Sequence, residues 1–345
     1  MHTGSGILDR SSLGSGSLFV APAMLALFYP FFLKGFNFSL VTDGPSLSPV
    51  LMLALAFSVP SYGFFASLKL GRIAQPDLSQ VIAKRLALLA VATPPIYTAT
   101  GVLLYMAGDP IADTTLWIIG WALIAFYSII SMRRAKGTPV GAVTASPRLR
   151  IMHGISALCI IVLFLTMHLL NHLAGLLSEE THRHVMDMFR MIYRARLIEP
   201  MIVFLFFFQV VSGLGLLRIH TLRPADFFRT LQIASGAYLV FFILAHMNSV
   251  FIFARRFAHI LTDWDFATGA PTGLIQDAWN IRLVPHYYLG VFLVLSHLVL
   301  GCRIVALGHG VRRLLADRYA KVGIALSAGA ALAIMLGMTG IHFIH

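Results

Sequence analysis

A chain of 345 residues with only 12% charged residues and a mean hydropathy of +0.82 cannot cover a water-exposed surface of its size, so lipid is the solvent for most of it. The net charge of +12 would suggest nucleic acid in a soluble protein, but here the basic residues sit in short gaps between apolar runs and act as topogenic charge, so no nucleic-acid partner is expected. The two cysteines, Cys159 and Cys302, lie inside apolar runs and read as free thiols, which excludes a disulfide framework and a cysteine metal cluster.

Residues 1–15 read as a short flexible tail with no cleavable signal. Apolar runs follow at 16–33, 48–68, 84–106, 114–132, 148–176, 197–219, 230–253, 286–308 and 320–344. Each is about twenty residues or longer, the length of a spanning helix and twice that of a spanning strand. The fold class is therefore an all-α integral membrane protein with about nine spanning helices. With the N-terminus cytoplasmic, the inner gaps hold most of the 26 basic residues, among them Arg72, Arg133, Arg134, Arg150, Arg229 and Arg312. The outer gaps hold most of the 14 acidic ones, among them Asp109, Glu179 and Asp265. That bias predicts a multi-pass protein, N-terminus inside and C-terminus outside, most simply in a bacterial inner membrane.

The runs divide into a four-helix N-terminal region (16–135), a basic cytoplasmic linker (136–147) and a five-helix region (148–345). The first region offers only Ser, Thr and Tyr as polar groups within its helices, and reads as a scaffold or docking surface. Its Pro94–Pro95 pair, in mid-run, should kink or break the third helix. Two outer connections, about 177–198 and 255–285, are longer than turns, and loops of that length often carry function.

Every one of the 14 histidines except His2 lies beyond residue 150. His153, His168, His172, His246 and His297 fall inside apolar runs, where an ionisable group is costly and marks a functional site. His168 is 18 residues past Arg150, about 27 Å of helix, and His246 is 17 residues past Arg229, about 26 Å. Both helices run outward, so the two imidazoles reach one height in the outer half of the bilayer, as the axial ligands of a low-spin haem iron must. His297, six residues before Arg303, lies in the inner half. An internal repeat reinforces the pairing: Arg150-x5-Ser156 before His168 matches Arg229-x5-Ser235 before His246, and Gln209-x3-Gly213 matches His297-x3-Gly301. Two such helix pairs make a four-helix bundle, a frequent setting for a haem held from facing helices, and the small residues permit close approach.

The stretch 148–308 resembles the single-chain cytochrome b membrane subunit of succinate dehydrogenases and fumarate reductases. The likeness rests on Leu149-Arg-Ile-Met-His153, Met167-His-Leu-Leu-Asn-His172, His184-Val-Met-Asp187 leading to Leu197-Ile-Glu-Pro200, Leu231-Gln-Ile-Ala-Ser-Gly236 before His246, and Ser296-His-Leu-Val-Leu-Gly-Cys-Arg303. The ninth helix fits that family's fifth. The resemblance implies two stacked haems, with His168 and His246 at the outer pair of ligand positions and Gln209 and His297 at the inner pair. Gln209 departs from the pattern, because a carboxamide is a poor iron ligand; one haem b is the expectation. His172, one turn beyond His168, is placed to bond a propionate or to serve as the ligand if the register slips. His153 and Arg150 fall where the family makes quinone or subunit contacts, Arg229, Ser156 and Ser235 complete the cofactor-binding set, and Arg194, Arg196 and Arg255 are candidates for propionate pairing. The four extra N-terminal helices depart from the family's five and leave docking of flavoprotein and iron–sulfur partner subunits open.

The function these readings support is a membrane cytochrome b moving electrons between quinone or quinol and a partner protein. The chain has no G-x-G-x-x-G fingerprint and no cysteine cluster, so any flavin or iron–sulfur centre belongs to another subunit. The alternative is a non-redox adaptor, assembly or lipid-related protein that keeps the fold, with haem structural, sensory or absent. A transporter ranks last, because the repeat is parallel and intramembrane acids are missing.

Overall fold

The computed structural model describes residues 17–141 and 144–344; the expected tail, 1–15, lies outside them. The described residues are mainly helical, with one isolated bridge between Asp77 and Pro139 and no strand. The helices are α1 (Ser17–Asp43), α2 (Leu47–Gly71), α3 (Leu78–Val91), α4 (Thr93–Met106), α5 (Asp113–Ala135), α6 (Pro147–Ile160), α7 (Thr166–Ala174), α8 (Glu179–Tyr193), α9 (Ile198–His220), α10 (Phe227–Met247), α11 (Trp264–Thr268), α12 (Gly273–Gln276), α13 (Leu283–Gly308) and α14 (Arg313–Met338). Among the described residues, eight helical segments are long and apolar enough to cross a membrane: α1, α2, α5, Pro147–Ala174, α9, Phe227–Ala258, Asn280–Gly308 and α14. The third expected span, 84–106, is a broken one. It divides into α3 and α4 with a 62° bend at Ala92, and Pro94 and Pro95 occupy the first turn of α4, where their missing N–H groups cost nothing.

The chain forms two compact units. Of the described residues, one contains those up to Ala145 together with Leu217–Phe241; the other contains Ser146–Leu216 and those from Phe242 onward. In the first unit α1, α2, α3 and α5 pack together. A Cβ at Gly63 of α2 would lie 2.7 Å from the Ala87 carbonyl oxygen, so only glycine allows that approach to α3. Tyr29, Tyr97, Trp117 and Trp121 form an aromatic core, anchored by Trp117 Nε1 donating to the Ala26 carbonyl at 2.7 Å. Two basic residues of α3 explain why Leu217–Phe241 joins this unit. Lys84, almost fully buried, donates to the Arg223 carbonyl at 3.0 Å, and Arg85 donates to Thr221 Oγ1 and the Arg218 carbonyl at 3.0 and 3.1 Å. These cations satisfy the carbonyls left open at the C-terminal end of α9.

In the second unit α13 lies along α14, tied by the buried end of Arg303 to Asp317 at 2.6 Å. The helix Pro147–Ala174 and α9 are less enclosed. Only 11% of the apolar window of Pro147–Ala174 and 17% of that of α9 is buried, against 33% for α1 and α2. The stretch expected as a polar connection at 177–198 contains α8, an amphipathic helix whose His182 and Met186, one turn apart, face inward. Ser178 caps its first turn, its Oγ accepting from Thr181 N at 3.0 Å.

Candidate functional site

Both helices of the outer histidine pair depart from α geometry beside the histidine. Ile161–Leu165 is a π-helical turn just before His168, and Asn248–Ala258 is π-helical just after His246. In the first, Ile161 O accepts both the Thr166 backbone N–H and the Thr166 hydroxyl, the latter at 2.9 Å, so the wide turn leaves that carbonyl well satisfied. Wide turns of this kind recur at functional sites because they re-aim side chains that a regular helix would place elsewhere. Each histidine is also backed by a phenylalanine one turn earlier on its own helix. The Phe164 ring stacks on His168 at 4.8 Å and 21°, and the Phe242 ring on His246 at 5.6 Å and 12°.

The His168 and His246 rings lie 6.0 Å apart, inclined at 68°. They begin a connected group. His172 is 4.7 Å from His168, His182 is 5.4 Å from His172, and His286 is 4.7 Å from Phe242. His168, His172 and His246 are half-buried. At the α8 end of the group, Asn171 Nδ2 donates to His182 Nε2 at 3.1 Å, which places the His182 proton on Nδ1. That Nδ1, His172 Nδ1 and Asn171 Oδ1 are all sealed from solvent with no hydrogen-bond partner, a gathering of unsatisfied groups that marks a site for water or a polar ligand. Burial, with Arg190 and Arg183 adding to it and Asp263 opposing, pulls the His182 pKa down to about 4. Trp264, buried, covers His182 at 4.4 Å, and Gly175 is required beneath it because a Cβ there would meet the indole at 2.4 Å.

A second pair forms elsewhere in the same unit. The His153 and His297 rings lie 6.5 Å apart, with Ser212 Oγ 2.8 Å from His153 Nδ1. Gln209, at the family's ligand position, donates through Nε2 to the His153 carbonyl at 2.8 Å and to Ser156 Oγ at 2.7 Å. Its amide thus fastens α9 to α6. Ser156 is therefore part of this second cluster, and Arg150 is exposed at the start of α6. Arg229 and Ser235 belong to the other unit: Arg229 donates to Gln232 Oε1 at 2.6 Å and lies 2.7 Å from His220 Nδ1, while Ser235 Oγ donates to the Gln232 carbonyl at 3.0 Å.

His182, His286, Phe164, Phe242 and Trp264 were not singled out from sequence. The Phe-x3-His spacing, present twice, was the available signal for the two phenylalanines. Among the described residues no group of three or more His, Cys, Asp or Glu is placed to hold a metal ion. A facing pair of imidazoles suits an iron whose other ligands come from a macrocycle. No protein-family model, curated protein or solved structure matches the chain.

Proposed function

We propose that this chain is a membrane cytochrome b-like protein that binds one haem b through His168 and His246 and passes electrons between a quinone or quinol and a partner protein. The observation that carries this reading is the 6.0 Å spacing of the two rings. Two facing imidazoles would hold an iron whose remaining ligands come from a macrocycle. The flanking π turns, the stacked phenylalanines and the low burial of Pro147–Ala174 agree with it. A bound haem would supply one-electron chemistry. The chain's own part is to hold the two imidazoles, to exclude water with Phe164, Phe242 and His286, and to offer the unsatisfied groups of His172, His182 and Asn171 to the polar edge of a macrocycle. Gln209, occupied with the His153 carbonyl and Ser156, supports one haem rather than the family's two. The partner proteins of the resembled family, a flavoprotein and an iron–sulfur subunit, remain part of this proposal, as does an orientation with α8 on the outer face.

The test is haem content by pyridine haemochrome, with reduced-minus-oxidised spectra, on protein purified in mild detergent with haem in excess. About one low-spin b haem per chain is expected. His168→Ala and His246→Ala should each lose it, and His309→Ala, altered at an exposed position, should keep it. Unchanged haem content in both of the first two variants refutes the assignment. A colourless wild type transfers the lead to the non-redox adaptor reading.

A further inference from the structure

Three arginines of the second unit converge at the α8 end with too few anions to answer them. Arg190 Nη2 donates to the Thr262 carbonyl and Arg194 Nη2 to Thr262 Oγ1, both at 2.6 Å, so one threonine of the loop after the π segment receives both. Arg255 pairs with Glu199 at 2.8 Å, with both side chains under a third exposed. Burial and the like charges of Arg190 and Arg255 hold the Arg194 pKa below the usual arginine value, with Tyr193 and Glu199 opposing. The Nε of all three guanidiniums is sealed from solvent and has no hydrogen-bond partner. Each guanidinium has about five N–H donors. Asp263, the nearest acid on the loop, is engaged elsewhere, its carboxylate accepting from Phe266 N at the start of α11. Three guanidiniums share one directly paired carboxylate, Glu199, and keep buried, unsatisfied N–H groups, and guanidinium forks match phosphate geometry.

We propose that Arg190, Arg194 and Arg255, closed over by Thr262, form a binding site for a phosphate-bearing anion, and that its occupant is a phospholipid headgroup. The depth argues for lipid. Arg255 lies near the end of the apolar segment Phe227–Ala258, Glu199 opens the apolar α9, and Arg190 and Arg194 belong to the amphipathic α8 and its C-cap. All therefore sit at a membrane–water boundary, the level of lipid phosphates.

The experiment uses the full chain, stripped of lipid in non-ionic detergent. Phosphatidylglycerol is titrated and followed by native mass spectrometry, and inorganic phosphate is titrated and followed by thermal unfolding. Wild type should retain one phosphatidylglycerol, the Arg190→Gln/Arg194→Gln double variant should bind it at least about tenfold more weakly, and Arg318→Gln, at an exposed position of α14, should match wild type. If the double variant fails to assemble, Arg194→Lys, which keeps the charge but loses the fork, should show an intermediate loss. Stabilisation by inorganic phosphate without retention of phosphatidylglycerol keeps the anion site and reassigns it to free phosphate. Wild type binding neither, or the double variant binding both as wild type does, overturns the proposal. So does loss of phosphatidylglycerol on haem loading, which would give these arginines to the haem carboxylates. The haem spectra of the His168 and His246 variants answer a separate question, so the two readings fail independently.

Discussion

Gly290→Ala tests whether the walls of the histidine pair are as tightly specified as the geometry implies. A Cβ at Gly290 of α13 would lie 2.3 Å from Cε2 and 2.4 Å from Cζ of Phe242. Ordinary carbon–carbon contact is about 3.5–4.0 Å, so the ring must withdraw by more than about 1 Å. It has little room to do so, because it stacks on His246 at 5.6 Å and meets His286 at 4.7 Å. Overpacking of this kind costs about 1–3 kcal/mol. Alanine offsets about 1 kcal/mol of that through its better helix propensity. The net expectation is a loss of about 0–2 kcal/mol in the protein without haem. The larger effect falls on the site, because a displaced Phe242 pushes His246 out of line with His168 and should lower haem affinity by tenfold or more, about 1.4 kcal/mol. The assay pairs thermal unfolding of the haem-free protein with haem titration by absorbance. Haem affinity unchanged in Gly290→Ala would refute the reasoning that the Phe242 wall positions His246.

Three further outcomes follow from the same structure. Trp264→Ala empties the centre of a core formed with Leu274, Leu283, Ile334, Met335 and Met338 and uncovers His182, and should cost about 3–5 kcal/mol in denaturant unfolding. His182, with its folded pKa near 4 against about 6.5 unfolded, should contribute its full stability above pH 6.5. That contribution should fall by about 1.4 kcal/mol per pH unit as the pH drops towards 4, to a total of about 3 kcal/mol, and His182→Gln should flatten the profile. Asp77→Ala removes the carboxylate that accepts from Gln80 N at 3.0 Å and Gly137 N at 3.1 Å, and should lower the unfolding midpoint by the equivalent of about 1–2 kcal/mol, while Asp77→Asn, which keeps the cap, should lose less.

The spans and the Pro94–Pro95 break were legible because length, hydropathy and a missing N–H act locally. The grouping of Leu217–Phe241 with the first unit was not. Lys84 and Arg85 read as topogenic charge at a run's edge, and only in three dimensions do they prove to be donors, Lys84 buried on the Arg223 carbonyl and Arg85 exposed on the Arg218 carbonyl. The amphipathic α8 was readable from the spacing of His182 and Met186 but was masked by the charges around it.

Depth arithmetic explains which parts of the site could be foreseen. Rise along a helix fixes height, and it set His168 and His246 level to within about 1–2 Å. The same arithmetic applied to His153 would have found its partner: it lies three residues past Arg150 and His297 six before Arg303, about 5 and 9 Å from the basic edge. Height alone does not fix azimuth. The π turn before His168 shifts the phase at which its helix delivers that ring, and no pattern of apolar residues announces a wide turn. Which histidines face one another is decided by that phase and by locks such as Gln209 on the His153 carbonyl, whose partners lie 56 and 53 residues away in sequence. A carboxamide at a ligand position looks like a lost ligand in one dimension; in three it is a strut that sets the distance between α6 and α9, and hence the orientation from which His153 meets His297.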